Sequence, residues 1–142
     1  MATKSDDGVE LSFAVICEKV LQESDRVMSI IRIVDSVRAE RLPLPPGVAL
    51  PVVPPPVISL QVAVGIRAEH GVKGSLQFVM VAPNGTPGQP FSIPVAAWPP
   101  PNLGANVVVP LQIVAQEAGI YWLELTFNSK RLTRLPLRVT IG

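Results

Sequence analysis

Apolar and polar residues alternate in four successive blocks between residues 58 and 113 of this chain. The apolar members of the blocks are Ile58, Leu60, Val62, Val64 and Ile66; Leu76, Phe78 and Met80; Phe91, Ile93 and Val95; and Val107, Val109, Leu111 and Ile113. Side chains of a β-strand point alternately to opposite faces, so each block indicates a strand with one buried face. The pattern therefore predicts an all-β protein, a single antiparallel β-sandwich.

The N-terminal part of the chain is predicted to form a hairpin of two further strands. Residues 11–22 and 27–37 are rich in Val, Ile and Phe, and a short polar turn separates them. One face of the first strand is then made of Leu11, Phe13, Val15 and Cys17. A helix over residues 15–33 is the competing interpretation, but the β-branched residues and the polar turn favour strands.

Two segments do not follow the strand pattern. Residues 1–10 are mostly polar and are expected to form a flexible arm, which leaves residues 11–142 as one β-sandwich domain. Residues 43–56 are dense in proline, which lacks a backbone donor and fixes φ. We therefore expect this segment to be an extended crossover of the kind that a Greek-key sandwich needs between antiparallel strands.

The chain ends in a second predicted hairpin. The apolar faces of its two strands are Tyr121, Leu123, Leu125 and Phe127, and Leu135, Leu137, Val139 and Ile141. Because cross-strand partners share a face, the connecting loop is expected to contain an odd number of residues. A three-residue loop at 128–130 places Glu124 opposite Arg134, and a five-residue loop places Trp122 opposite Arg138. With this hairpin the sequence predicts about eight strands.

The predicted sandwich is Ig-like or C2-like in outline. Its expected core comprises Phe13, Val15, Ile33, Leu60, Val62, Val64, Phe78, Val109, Leu111, Tyr121, Leu123, Leu125 and Leu137. Burial of each such side chain contributes roughly 1.5–3 kcal/mol to stability. Residues 79–81 and 107–109 are apolar on both faces, which predicts a second covered surface, within the domain or against another subunit.

The scarcity of reactive residues excludes several kinds of site. Cys17 is the only cysteine and His70 the only histidine, so neither an intramolecular disulfide nor a cysteine-rich metal site can form. Cys17 is interpreted as a small core hydrophobe and His70 as a solvated turn residue. The acids show no calcium-loop spacing, and a net charge of +1 is far from that of a nucleic-acid binder. No cofactor, metal or nucleic acid is expected.

The apolar content is spread over short segments. No apolar run approaches the roughly 20 residues that a membrane helix needs. The N-terminus also lacks the basic and apolar regions of a secretory signal. A cytoplasmic protein without a membrane partner is therefore expected.

The candidate site is consequently an interaction surface. Arg134 and Arg138 are expected to face outward together, with Trp122 on the neighbouring strand. Trp98 is the other tryptophan that the strand pattern leaves outside the core. The leading hypothesis is a non-enzymatic interaction or assembly module that binds another protein chain or itself. The alternative is a small-ligand or carbohydrate-binding domain that uses Trp98 or Trp122.

Five segments of the chain, taken in order, carry a resemblance to a known family. The segments concerned are 13–18 (FAVICE), 31–37 (IRIVDSV), Leu42-Pro43, 117–125 (EAGIYWLEL) and 135–139 (LPLRV). In this order the chain resembles an uncharacterised family of small bacterial β-sandwich proteins, one of the domain-of-unknown-function families. The resemblance implies a β-sandwich fold and a bacterial cytosolic setting, and it implies no activity.

Overall fold

A computed structural model describes residues 3–4, 9–24, 27–41, 46–47, 54–68, 73–95 and 104–142. These residues form ten strands and no helix. The strands are β1 (Thr3–Lys4), β2 (Val9–Gln22), β3 (Met28–Ile33), β4 (Ser36–Ala39), β5 (Val57–Ala68), β6 (Gly74–Val81), β7 (Phe91–Val95), β8 (Gly104–Val114), β9 (Gly119–Phe127) and β10 (Lys130–Ile141).

The strands are arranged in two five-stranded sheets. Sheet A has the order β1-β2-β5-β8, with β3 also paired to β2, and sheet B has the order β4-β10-β9-β6-β7. The all-β sandwich predicted from the alternating blocks is confirmed. The prediction of purely antiparallel pairing is wrong at one position, because β4 runs parallel to β10.

The strand predicted over residues 27–37 is two strands in different sheets. β3 pairs with β2 in sheet A, whereas β4 pairs with β10 in sheet B. The chain changes direction where Arg32 adopts a φ of 54° and a bend follows at Asp35. Backbone hydrogen bonds hold both sides of this bend. The Val34 N–H donates to the Ile16 carbonyl at 2.7 Å, and the Arg138 N–H donates to the Asp35 carbonyl at 3.0 Å. A run of β-branched residues does not reveal such a change of sheet.

The predicted arm and crossover are described only in part. β2 begins at Val9, inside the predicted arm, and Val9 is fully buried. Thr3–Lys4 pairs with Glu10 and Leu11. Most of the proline-rich segment 43–56 lies outside the described residues.

A β-bulge in β2 changes which side chains after Leu11 face the core. The register against β5 shifts between Leu11 and Phe13, so that Ile16 lies opposite the buried Val62. The inward residues of β2 are therefore Val9, Leu11, Ala14 and Ile16. The prediction of one face shared by Leu11, Phe13, Val15 and Cys17 is wrong, because a bulge inserts one residue and shifts the alternation.

Phe13 packs on the outer side of sheet A against Gly65. A Cβ atom built on Gly65 would lie within 3 Å of three atoms of the Phe13 ring. The glycine therefore gives the ring room to lie against the β5 backbone, an arrangement known to support strand glycines. Val15 and Cys17 lie opposite Ala63 and Gln61 in the same outer layer. Cys17 is buried, as predicted, but it is buried in this outer layer and not in the core between the sheets.

The core lies between the two sheets. Of the predicted core residues, those that are buried are Leu60, Val62, Val64, Phe78, Val109, Tyr121, Leu123, Leu125 and Leu137. Leu111 is half-buried at the edge of the core, and Phe13 and Val15 are half-buried outside it. Ile33 is 66% exposed, so its assignment to the core is wrong. Ile33 pairs with Cys17 and therefore belongs to the outer layer of sheet A, at the edge of the sheet.

The β9–β10 hairpin has a two-residue turn rather than a three- or five-residue loop. Lys130 pairs directly with Phe127, and an extra residue in β10 shifts the register between Arg131 and Thr133. The shift restores the pairing of Glu124 with Arg134, which confirms the first predicted register. The second register is wrong, since Trp122 lies opposite Pro136.

Replacing Ser129 with glycine is expected to stabilise the protein by about 1 kcal/mol. Asn128 and Ser129 have φ values of 48° and 70°, as in a type I′ turn, and the left-handed region costs non-glycine residues roughly 1–2 kcal/mol. Asn128 also accepts a bond from the Ser75 N–H at 3.0 Å. Urea unfolding of Ser129→Gly and wild type measures the difference. A lower midpoint for Ser129→Gly would contradict this account of the turn.

Candidate functional site

The outer side of sheet B carries the residues that the sequence assigned to an interaction surface. Directly opposed residues of paired strands share a face. Through the pairs of β9 with β6 and β10, the outward residues of this region are Val79, Val81, Ile120, Trp122, Glu124, Arg134, Pro136 and Arg138. We call this set the Trp122 face. It contains three of the four predicted site residues.

Trp122 lies at the centre of the Trp122 face. Pro136 is opposite it on β10 and Val81 opposite it on β6, so an apolar row crosses three strands. Ile120, next to the row, is 37% exposed. Central strands normally carry polar residues on a solvated face, and this row is apolar instead.

Arg134 covers the Trp122 ring. The guanidinium carbon lies 3.9 Å from the ring centroid, a cation–π contact. Glu124, the cross-strand neighbour of Arg134, pairs instead with Arg131, at 2.8 Å between Nη2 and Oε2. Because Arg131 neutralises this carboxylate, Arg134 is left to stack on the aromatic ring while its outer side faces solvent.

Positive charge exceeds negative charge around the apolar row. Arg138 lies opposite Ile120 and Ser36, and it has no ion-pair partner among the described residues. Arg38 projects from the same side of β4, opposite Thr140. Four arginines and one glutamate therefore carry the charge that β4, β9 and β10 present on this side, and the glutamate is already paired.

Two residues singled out in the sequence cannot be placed. Trp98, the fourth member of the predicted surface, lies outside the described residues, and so does His70. The predictions for both residues therefore stay predictions. The described part of the predicted surface consists of Trp122, Arg134, Arg138 and their neighbours on sheet B.

Cys17 is shielded from reagents and disfavoured as a thiolate. The residue is fully buried, and burial raises the pKa of its thiol, partly offset by a hydrogen bond from the Lys19 backbone. At neutral pH the reactive thiolate is therefore scarcer than in an exposed cysteine.

We expect iodoacetamide to alkylate Cys17 much more slowly in the native protein than in urea. A thiol whose pKa is raised by folding stabilises the folded state below its unfolded pKa, and this contribution is lost as the pH rises through the folded value. Native alkylation should therefore accelerate only at alkaline pH. Mass spectrometry of timed samples gives both rates, and equal rates at pH 7 in the two states would contradict the burial of Cys17.

A cleft lies between the two sheets, and it was not predicted from the sequence. This cleft of about 690 Å³ opens between β8 on one side and β6 with the 82–90 segment on the other. Its described walls include Val62, Val109 and Phe78. Alternation shows which side chains face inward, but not how far apart two sheets stand, so the sequence held no signal for this space.

The described part of the chain contains neither a metal-binding cluster of side chains nor a membrane-spanning helix. No group of three or more His, Cys, Asp or Glu side chains among the described residues could hold a metal ion. Nor do those residues include a helix long and apolar enough to cross a membrane.

The chain matches one family model, and its fold is similar to solved structures only at low identity. The model of a family of unknown function (DUF6941) matches residues 12–140, in agreement with the resemblance to an uncharacterised domain family. An immunoglobulin-like protein from Pseudomonas aeruginosa aligns over 92% of this chain and 95% of its own, with 11% identity and a TM-score of 0.45. The CARDB domain of a Pyrococcus furiosus protein, in complex with di-metal ions, aligns over 92% and 94%, with 11% identity and a TM-score of 0.46.

These structural likenesses carry no argument about function, because such scores fit two β-sandwiches of unrelated roles. No curated protein matches the chain. The candidate function therefore depends on the chain's own surfaces.

Proposed function

The chain belongs to DUF6941, a family of unknown function, and we propose that it is a non-enzymatic protein-binding module that docks a partner on the Trp122 face. One observation carries the proposal, the contact of Arg134 with Trp122 at 3.9 Å in the middle of an outward sheet face. Tryptophan and arginine are the residues most enriched where protein interfaces gain their binding energy.

The surroundings of this pair support the same use. An interface centre is apolar and its rim polar. In the Trp122 face, the apolar row through Pro136, Trp122 and Val81 is bordered by Arg134 and Arg138. The β9–β10 pair sets the positions of Trp122 and both arginines, so little conformational entropy is lost when a partner docks.

The charge of the face indicates the kind of partner. Arg134 and Arg138 expose guanidinium groups that bind carboxylates with two parallel hydrogen bonds. Glu124, the acidic member of the face, is paired with Arg131. We therefore propose a partner surface with an apolar centre and acidic residues around it. A second copy of this chain is the alternative occupant.

The carbohydrate alternative receives less support from this geometry. A sugar stacks on the open face of an aromatic ring, and at Trp122 the Arg134 guanidinium already lies over a ring face. Moving it would forfeit the cation–π contact before any sugar contact formed.

The test is affinity capture from the host lysate with variants that reverse the charge of the face. We expect one protein to be retained by wild type and lost from Arg134→Glu/Arg138→Glu, because a like charge opposite an acidic partner costs several kcal/mol. Arg41→Glu, an exposed arginine outside the Trp122 face, is the matched control and should retain the partner. Raising the salt concentration should weaken retention by wild type, because exposed charge pairs are screened. Equal retention by all three proteins would reject the proposed docking surface.

A further inference from the structure

We infer that the cleft between the two sheets binds an uncharged amphiphile, a small molecule with a hydrocarbon body and one hydroxyl or amide end. This site is separate from the Trp122 face, which lies on the outer side of sheet B. The inference does not depend on the proposed protein-binding function.

The cleft exists because the sheets approach closely along one side only. There, β10 contacts β1 and β2. On the opposite side β8 and β7 are the edge strands of the two sheets, and the cleft of about 690 Å³ opens between β8 and sheet B. Binding sites for small molecules typically have volumes of roughly 300–1,000 Å³. The space is therefore of the size that such a ligand needs.

The walls of the cleft suit a hydrocarbon. Val62 and Val109 on sheet A and Phe78 and Leu123 on sheet B are all buried, and they form its inner lining. Phe91, which is 50% exposed, adds a further apolar side chain to the lining. Filling this space with hydrocarbon is favourable because it removes apolar surface from water.

The rim of the cleft suits a polar group without negative charge. Glu117 contributes a carboxylate whose Oε1 accepts the Asn84 N–H at 3.1 Å, and Asn84, Thr86 and Gln116 also belong to the lining. The described lining contains no lysine or arginine. An anionic head group would meet Glu117 without a compensating cation, whereas a hydroxyl or amide can bond the rim groups. The charge of the rim therefore disfavours an anionic head group.

A polypeptide strand is a poorer occupant of this opening. A strand added to sheet A would have to pair along β8, the edge strand. Pro110 lies in the middle of β8, opposite Gln61, and has no N–H to donate. Proline on an edge strand is one of the devices that prevent strand addition. This favours a small molecule over a chain.

The test is displacement of Nile red, an uncharged fluorescent dye, by 1-decanol and by decanoate at pH 8. We expect Nile red to bind one site and 1-decanol to displace it at a concentration at least about tenfold lower than decanoate, because decanoate brings a second negative charge to Glu117. Glu117→Gln keeps the Oε1 acceptor and removes the charge, so it should bring the two concentrations closer together.

A blocking variant locates the dye. Leu111, half-buried in the lining, becomes a plug in Leu111→Trp, which should weaken dye binding at least about tenfold. Val57→Trp is the matched control, because Val57 is 58% exposed and outside the described lining. The inference is overturned if decanoate displaces the dye as well as 1-decanol, or if the two tryptophan variants bind it equally. If the circular dichroism spectrum of Leu111→Trp differs from that of wild type, this variant is misfolded. The test then depends on whether Glu117→Gln brings the displacing concentrations of 1-decanol and decanoate closer together.

Discussion

Replacing Phe127 with alanine is expected to lower the free energy of unfolding by about 3–5 kcal/mol, the usual cost of removing a buried phenylalanine. Phe127 is the largest fully buried side chain among the described residues, and it lies near the end of β9. A Cβ atom built on Gly74 would lie 2.5 Å from its Cζ atom, so the ring packs directly against the β6 backbone.

Urea unfolding followed by circular dichroism measures this loss. A domain of this size is stable by about 5–15 kcal/mol, so the variant should unfold at a much lower urea concentration. Phe91→Ala is the matched control, because Phe91 is also on a strand of sheet B but is 50% exposed. The control should cost about 1 kcal/mol or less. Equal losses for the two variants would contradict the position of the core between the sheets.

Replacing Trp122 with alanine is expected to weaken partner binding by about 2 kcal/mol or more, roughly a 30-fold rise in Kd. The substitution removes the largest apolar side chain of the Trp122 face and the ring on which Arg134 stacks. Arg134 then loses the contact that positions it, so both the apolar and the charged part of the interface weaken. Trp122→Phe keeps a ring and should lie between wild type and Trp122→Ala.

Isothermal titration calorimetry on the purified partner checks this result. Val57→Ala removes an exposed apolar side chain from sheet A and is the matched control, with an expected change in Kd of less than about threefold. Trp122 is only partly buried, so Trp122→Ala should keep the wild-type unfolding midpoint within about 1 kcal/mol. A Kd that Trp122→Ala leaves unchanged would show that the partner binds elsewhere.

The alternating blocks predicted most of the fold because burial on one face imposes a two-residue period on each strand. β5, β6, β8 and β9 follow that period over most of their lengths, and their inward residues are largely the predicted ones. β2 does not follow it, because the bulge after Leu11 exchanges its faces. Local sequence cannot show a bulge when apolar residues occupy both faces, as they do from Phe13 to Cys17.

The switch of sheets between β3 and β4 was also hidden in the sequence. Ile31 and Ile33 have the composition of buried strand residues, yet they are 37% and 66% exposed. Their place at the sheet edge depends on which strands they meet, and that is decided by contacts far along the chain. The parallel pairing of β4 with β10 has the same origin.

The candidate site was predictable to the extent that it depends on one hairpin. The same-face rule for the apolar residues of β9 and β10 left two registers open, and one of them places Glu124 opposite Arg134, as the structure does. The sequence grouped Trp122 with Arg134 and Arg138 but left open whether Arg134 would pair with the Glu124 carboxylate or stack on the ring; in the structure it stacks, and Arg131 pairs with Glu124.

The most direct test of the proposed function is the mass, by light scattering, of the complex that the tagged chain forms in its host lysate. We expect a complex heavier than the 15.2 kDa chain by the mass of a second protein, and the bare chain for Arg134→Glu/Arg138→Glu. The same complex mass for wild type and for the charge-reversed variant would contradict it.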